Sequence, residues 1–273
     1  MLYLNRGKIQ LGHILHDAEK NSKKQVMLKL ISFLFSLFLC FQASAQTFKS
    51  TQQKCDRVKT AYQEKWDGLK SEMKKQGITD TNFEMYLQIF KNEKIVEVWI
   101  KTKEKKEYKL FKSYSICASS GDLGPKRKQG DGQVPEGFYH IAAFNPYSSY
   151  YLSLGVSYPN ASDKIVGKRN LGGDIMIHGN CVTIGCMPLT DFYIKEVYVL
   201  AVEACNDGQK NIPVNIFPAK LDANGMKILS AEYSKDIALM DFWKNIKIGY
   251  DYFELHKQLP KVSVDKAGKY IFN

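Results

Sequence analysis

Thirteen residues, Ile177-His178-Gly179-Asn180-Cys181-Val182-Thr183-Ile184-Gly185-Cys186-Met187-Pro188-Leu189, put a histidine at the end of an apolar strand, a tight glycine-containing turn after it, and Cys186 just ahead of a helical stretch. Cysteine chemistry needs a thiolate, and a nearby imidazole supplies both the base and the stabilising cation. Gly185 lets backbone approach a substrate closely. The amides of Gly185 and Cys186 are then expected to point at a carbonyl oxygen as it gains charge, an oxyanion hole. Two plainer readings compete. One takes His178 as a hydrogen-bonded core histidine and Cys186 as a small buried hydrophobe. The other is a metal array of His178, Cys181, Cys186 and the distant Cys205; zinc sites use tighter paired spacings, so no metal and no cofactor is expected.

Outward from this turn, Asp191–Ala204 carries Ile194, Val197, Tyr198 and Ala201 at helical spacing behind a Thr190 N-cap, and Ile212–Phe217 reads as a strand closed by Pro218. On the other side, Phe83–Lys91, Ile95–Lys101, Tyr108–Cys117, Phe138–Phe144 and Tyr150–Val156 are rich in β-branched and aromatic residues and read as strands. The stretch 119–137, SSGDLGPKRKQGDGQVPEG, holds five glycines and two prolines and interrupts them as a long, shaped loop, the kind that is often functional. Residues 51–76 present Val58, Tyr62, Trp66 and Leu69 on one stripe and predict a helix ended by Gly77. Ser234–Leu259 predicts a helix, and Val262–Phe272 a closing hairpin over Asp265–Gly268.

The first 45 residues set the expected compartment. Leu30–Phe41 is a run of 12 mostly apolar residues behind Lys23, Lys24 and Lys29, and it leads to Ala43-Ser44-Ala45, the small-x-small pattern of signal peptidase. A membrane span needs about 20 apolar residues. The expectation is an export signal over 1–45, with Met27 well placed as the true start and Gln46 as the mature N-terminus; retention as an N-terminal anchor is the alternative. Its removal takes away six basic and two acidic side chains, so a net charge of +11 falls to +7 over 228 residues. That charge suits an anionic polymer. No helix-turn-helix, zinc-finger or RNP pattern accompanies it, so nucleic acid is not an expected partner. Hydrophobic residues at 44% and charged residues at 25% exclude intrinsic disorder.

Five cysteines remain after residue 45: Cys55, Cys117, Cys181, Cys186 and Cys205. In an oxidising compartment an odd count leaves at least one unpaired within the chain. Cys181 lies five residues from Cys186 across a tight turn, a disulfide there needing Cα atoms within about 7 Å. Such a bond would silence the nucleophile; simple packing of Cys181 beside the site is the favoured reading, with the bond as the alternative.

His-Gly followed by (Ser/Thr)-x-Gly-Cys resembles the active-site signature of the YkuD-type L,D-transpeptidase family, which remodels peptidoglycan with a catalytic cysteine. The YafK-like murein branch is closer still. It shares Ser120-Gly121-Asp122-Leu123-Gly124-Pro125-Lys126, Gln129-Gly130-Asp131 through Pro135-Glu136-Gly137-Phe138-Tyr139, Asn145-Pro146, Tyr158-Pro159-Asn160, and Met176 to Cys186. The resemblance covers about residues 90–220.

It implies an α+β, β-rich fold with a mixed β-sandwich core, divided into an N-terminal helix (46–80), a catalytic domain (81–220) and a helical and hairpin addition (221–273). Carried onto this sequence, it implies Cys186 as nucleophile, His178 as general base and the Gly179 carbonyl orienting the imidazole. Thr183 and Gly185 would form the oxyanion turn, and Tyr139 and Tyr158 would belong to the substrate-binding set. The implied partners are peptidoglycan stem peptides and an outer-membrane lipoprotein linked to them, in the periplasm. The implied reaction passes an acyl group from a tetrapeptide stem to an amine, water being the alternative acceptor. A wall-binding protein without turnover is the reading from another class. This chain departs from many members at Ile184, where they carry a second histidine, and lacks the arginine that follows their cysteine.

Overall fold

A computed structural model describes residues 23–30, 46–78, 82–167 and 169–273. The chain divides into two compact units, 1–46 and 47–273. In the first, residues 23–30 are helical (α1); most of the expected export signal, with its cleavage pattern, lies outside the described residues. No helix among the described residues is long and apolar enough to cross a membrane.

The second unit is a mixed sheet between helices. Its strands are β1 (Phe83–Phe90), β2 (Ile95–Thr102), β3 (Lys109–Ser115), β4 (Gly137–Asn145), β5 (Ser153–Val156), β6 (Met176–His178), β7 (Met187–Pro188) and β8 (Pro213–Phe217). They run in the order β3-β2-β1-β8-β4-β5-β6-β7. Pairs β1·β8 and β6·β7 are parallel, the others antiparallel. Strand β4 pairs through Gly137–His140 with β8 and, past a register shift at Ile141/Ala143, through Ala143–Asn145 with β5. A bulge that hands one strand from one half-sheet to the next is how a sandwich turns its corner.

Side chains alternate across a strand, so β1 reports both faces. Phe83, Met85, Leu87 and Ile89 join the main core with Val58, Tyr62 and Leu69 of α3 (Asp56–Lys75) and Val197 and Leu200 of α5 (Asp191–Asn206). Tyr86 and Phe90 face the opposite side, where Phe253, Trp243 and Tyr250 of α7 (Ile237–His256) cover them. Both faces are therefore buried, and β1 carries apolar residues on each side, interrupted by Glu84 and the buried Gln88, rather than a strict alternation.

The single helix predicted over 51–76 is two: α2 (Phe48–Gln52), capped by Thr47, and α3. Cys55 is extended and breaks them. Two further helices, α4 (Ala161–Val166) and α6 (Ala223–Tyr233), were not expected. Both start on a side-chain cap, Asn160 and Asp222 respectively. The tail closes with the hairpin β9 (Val262–Val264) and β10 (Tyr270–Phe272) around Asp265–Gly268.

Candidate active site

Strands β6 and β7 pair Ile177 with Met187 and His178 with Pro188, so Cys186 stands one residue ahead of β7, level with Met176. His178 is 1% exposed. Its Nδ1 lies 2.5 Å from the Gly179 carbonyl oxygen, which directs Nε2 to be the nitrogen that exchanges protons. The Tyr150 ring lies 4.7 Å from the imidazole, centroid to centroid, and tilted by 31°. Gly179 itself is enclosed: a Cβ there would stand 2.6 Å from Asp191 Oδ1 and 3.0 Å from the Tyr150 carbonyl oxygen. Asp191 also accepts the Asn180 amide at 2.9 Å, pinning the start of the turn to the start of α5.

The half-buried Cys186 sulfur donates to the Asp174 carbonyl at 3.6 Å. Burial pushes its thiol above the ordinary cysteine value, against the Met176 amide facing the sulfur. Burial pulls His178 below the ordinary histidine value, against the bond to Gly179. Burial thus favours the uncharged form of each group, a thiol at Cys186 and a neutral imidazole at His178.

Thr183 closes the turn. Its hydroxyl donates to the Cys186 carbonyl at 2.8 Å and accepts the Gly185 and Cys186 amides at 3.2 and 2.8 Å. The expectation that those two amides stand open toward a substrate oxygen is corrected here, because Thr183 Oγ1 occupies both. Thr183→Val, of nearly the same shape, should leave them unpaired and cost about 1–3 kcal/mol. Turnover should fall by at least about tenfold as the turn loosens, since small misplacements cost up to about 10²-fold. Thr183→Ser should restore both; melting temperature and initial rate report the two effects.

The 119–137 loop backs this turn. A Cβ on Gly185, whose φ is +128°, would meet the Gln133 carbonyl oxygen at 3.1 Å. Two carboxylates hold the loop. Asp131 accepts Lys126 Nζ and the amides of Arg127, Lys128 and Gln133. Burial would raise its pKa, yet these donors bring it down to about 2. Glu136, fully buried, accepts the Gly124 amide, Lys91 Nζ and Trp243 Nε1.

Tyr139 and Tyr158 belong to this scaffold, not to the cleft surface. Tyr139 is buried and its hydroxyl donates to Asp163 Oδ2 at 2.9 Å; the Tyr158 hydroxyl faces the Lys126 and Leu171 carbonyls at 3.3 Å. A phenol in a shared motif serves the loop as readily as a ligand, and here burial decides.

Cys181 forms a disulfide with Cys117, with Cα atoms 5.4 Å apart. That excludes a Cys181–Cys186 bond, replaces simple packing of Cys181 beside the site with a covalent tie, and joins the turn to the end of β3, where the Cys117 amide also donates to the Pro188 carbonyl. Among the described residues no group of three or more His, Cys, Asp or Glu is placed to hold a metal ion. Cys186 lines a cavity of about 330 Å³, together with Lys91, Lys94, Asp122, Glu232 and Tyr233. The last two come from α6, whose signal in the sequence was the Asp222 cap, which accepts the amide of Gly225 three residues on.

Residues 84–216 match the family model for the L,D-transpeptidase catalytic domain. YafK of Escherichia coli (strain K12), provisionally assigned as an L,D-transpeptidase, is 40% identical over 189 residues, 68% of this chain and 73% of its own. Among solved structures, the helical cell shape determining protein Pgp2 from Campylobacter jejuni is 20% identical, with TM-score 0.41 over 73% of this chain and 80% of that one. L,D-transpeptidase 1 of Mycobacterium tuberculosis is 13% identical, with TM-score 0.28 over 50% and 62%.

Proposed function

Because this chain belongs to the L,D-transpeptidase catalytic-domain family, we propose that it is an exported cysteine acyl-transferase acting on peptidoglycan stem peptides in the cell envelope. The observation that carries this reading is the placement of Cys186. Of the three free cysteines among the described residues, Cys55 is buried against the Pro146 carbonyl and Cys205 is pushed up to about 11 by burial, while Cys186 opens on the cavity.

In the proposed reaction His178 Nε2 takes the thiol proton as Sγ attacks the carbonyl of the third, diamino-acid residue of a tetrapeptide stem. The bond to the terminal D-alanine breaks, His178 returns the proton to the leaving amine, and a thioester remains on Cys186. An amine of a neighbouring stem then attacks the thioester carbonyl, His178 Nε2 takes the proton the amine loses and passes it to the departing sulfur, and a 3–3 cross-link and the free Cys186 thiol result. The Gly179 carbonyl supports the step by stabilising the imidazolium that forms.

Mass spectrometry of muropeptides after incubation with the protein tests this. Loss of D-alanine with new 3–3 dimers is expected. Tripeptides without dimers would assign water as the acceptor, and release of a wall-bound lipoprotein would assign an amidase. No change in any muropeptide, with Cys186 intact and reduced, would overturn the enzymatic reading in favour of wall binding.

A further inference from the structure

The peptide unit between Gly179 and Asn180 is held at both of its polar ends. Its carbonyl oxygen accepts His178 Nδ1, and its N–H donates to Asp191 Oδ1 at 2.9 Å. A trans peptide is planar, with C=O and N–H fixed in opposite directions, so His178 and Asp191 stand at the two ends of one rigid unit. The peptide before it belongs to the strand ladder. There the His178 carbonyl accepts the Leu189 amide at 2.7 Å, and the Gly179 amide donates to the Leu152 carbonyl at 3.1 Å. Strand β6 ends at His178, and Asn180 turns the chain with a φ of +63°, in the left-handed region that asparagine tolerates. The Gly179 carbonyl is therefore aimed from outside the strand, by the first residue of α5. The fit on that side is close. A Cβ on Gly179 would stand 2.6 Å from the same Asp191 oxygen, so glycine at 179 lets the carboxylate reach the amide behind it.

Free imidazole prefers its proton on Nε2. An acceptor fixed at Nδ1 reverses that preference and leaves Nε2 bare to take the thiol proton. In the familiar triads a carboxylate does this by touching the ring; here the carboxylate stands one peptide further back. Two plainer roles for Asp191 are an acid at the positive end of α5 and a nearby charge. Neither accounts for the bond to Asn180. The start of α5 already has its cap, the Thr190 hydroxyl, which accepts the Tyr193 amide. Asp191 is exposed, where water and salt screen a carboxylate, so its place weighs more than its charge.

We propose that Asp191 is a positioning residue that acts on His178 through the Gly179–Asn180 peptide, holding the Gly179 carbonyl on Nδ1 and so keeping Nε2 free for the Cys186 proton. This rests on the cysteine acyl-transfer reading above and deepens it: the line Cys186, His178, Gly179 ends in a carboxylate on α5. The partner of Asp191 is an N–H, so an amide oxygen can replace a carboxylate oxygen as the acceptor. Asp191→Asn thus keeps the position and removes the charge, whereas Asp191→Ala removes both.

Two measurements test this, and the first needs no substrate. Imidazole nitrogen NMR spectra of the Cys186→Ala protein, at a pH where the ring is neutral, report the tautomer of His178, assigned by its loss in His178→Gln. The proton should sit on Nδ1, and should stay there when Asp191→Asn is added. Adding Asp191→Ala instead should move the population toward Nε2. Thr190→Ala, which removes the cap of the same helix, is the control: it should lower the melting temperature and leave the tautomer alone. An unchanged tautomer in Asp191→Ala overturns the proposal and leaves Asp191 a helix-start residue. The second measurement is initial rates on muropeptides with Cys186 in place. In Asp191→Ala kcat should fall about 10-fold or more with KM within about twofold, and Asp191→Asn should recover most of the loss. Asp191→Asn as impaired as Asp191→Ala, in tautomer or in rate, overturns the positional account in favour of charge. A tautomer that shifts as expected, in a protein that turns over no stem peptide, overturns the stem-peptide reading while leaving the link from Asp191 to His178 established.

Discussion

Cys186→Ala should remove turnover down to background while leaving the melting temperature within a few degrees, because the side chain is half-buried and its sulfur meets only backbone, the Asp174 carbonyl and the Met176 amide. Cys55→Ser and Cys205→Ser should keep turnover. His178→Ala should lose about 10²- to 10⁴-fold, the usual worth of a positioned base, with most of the loss in kcat. The pH dependence separates the two roles. Protonated imidazole cannot take the thiol proton, so kcat/KM should rise with pH through a His178 pKa that burial holds below the ordinary histidine value. Iodoacetamide labelling of Cys186 follows the thiolate instead, and should climb only at alkaline pH because burial holds the thiol high. Coincident profiles for turnover and labelling would instead indicate a preformed thiolate–imidazolium pair, and full turnover in Cys186→Ala would sink the mechanism.

The parts of this site that sequence made legible are those encoded within a few residues of one another. His178, Gly179, Gly185 and Cys186 lie in one strand–turn–strand passage, and Thr183 closes a turn of four residues, so local chemistry and local geometry coincide. Strands β1 to β3 were equally readable, since burial on alternate sides leaves β-branched and aromatic residues in short runs. What escaped are contacts between distant positions. Glu136 gains its meaning from Lys91 and Trp243, 45 and 107 residues away, so the 119–137 stretch was legible as a long, shaped loop but not the contacts that hold it. Tyr139 and Tyr158 stood in shared motifs, but only the path of the loop shows that their hydroxyls turn inward. The disulfide was out of reach for the same reason: five cysteines fix no connectivity, and the nearest in sequence was the wrong partner.

Reduction of Cys117–Cys181 should then produce the largest change that touches neither nucleophile nor base. The bridge closes 64 residues, for which chain entropy gives about 4 kcal/mol, or about 10 °C in melting temperature for a chain of this size. It also anchors the middle of the turn between His178 and Cys186, so kcat should fall along with stability when a phosphine reductant opens it. The sign is opposite to that of a Cys181–Cys186 switch, in which the reduced enzyme would be the active one. Variants sharpen the contrast. Cys117→Ser/Cys181→Ser should be destabilised but indifferent to redox conditions. Cys117→Ser alone frees a thiol five residues from the nucleophile in a loosened turn. With oxidised glutathione as oxidant, Cys181 would form a mixed disulfide and release one glutathione thiol. Cys186 would then displace the second glutathione thiolate, closing a Cys181–Cys186 bond that removes activity until dithiothreitol restores it. Turnover and mapped disulfides in oxidised glutathione should therefore separate the single variant from the double one. Equal turnover of the two under oxidising conditions would show that the native bridge does not shield the nucleophile, and an unchanged melting temperature on reduction would show that it does not hold the turn.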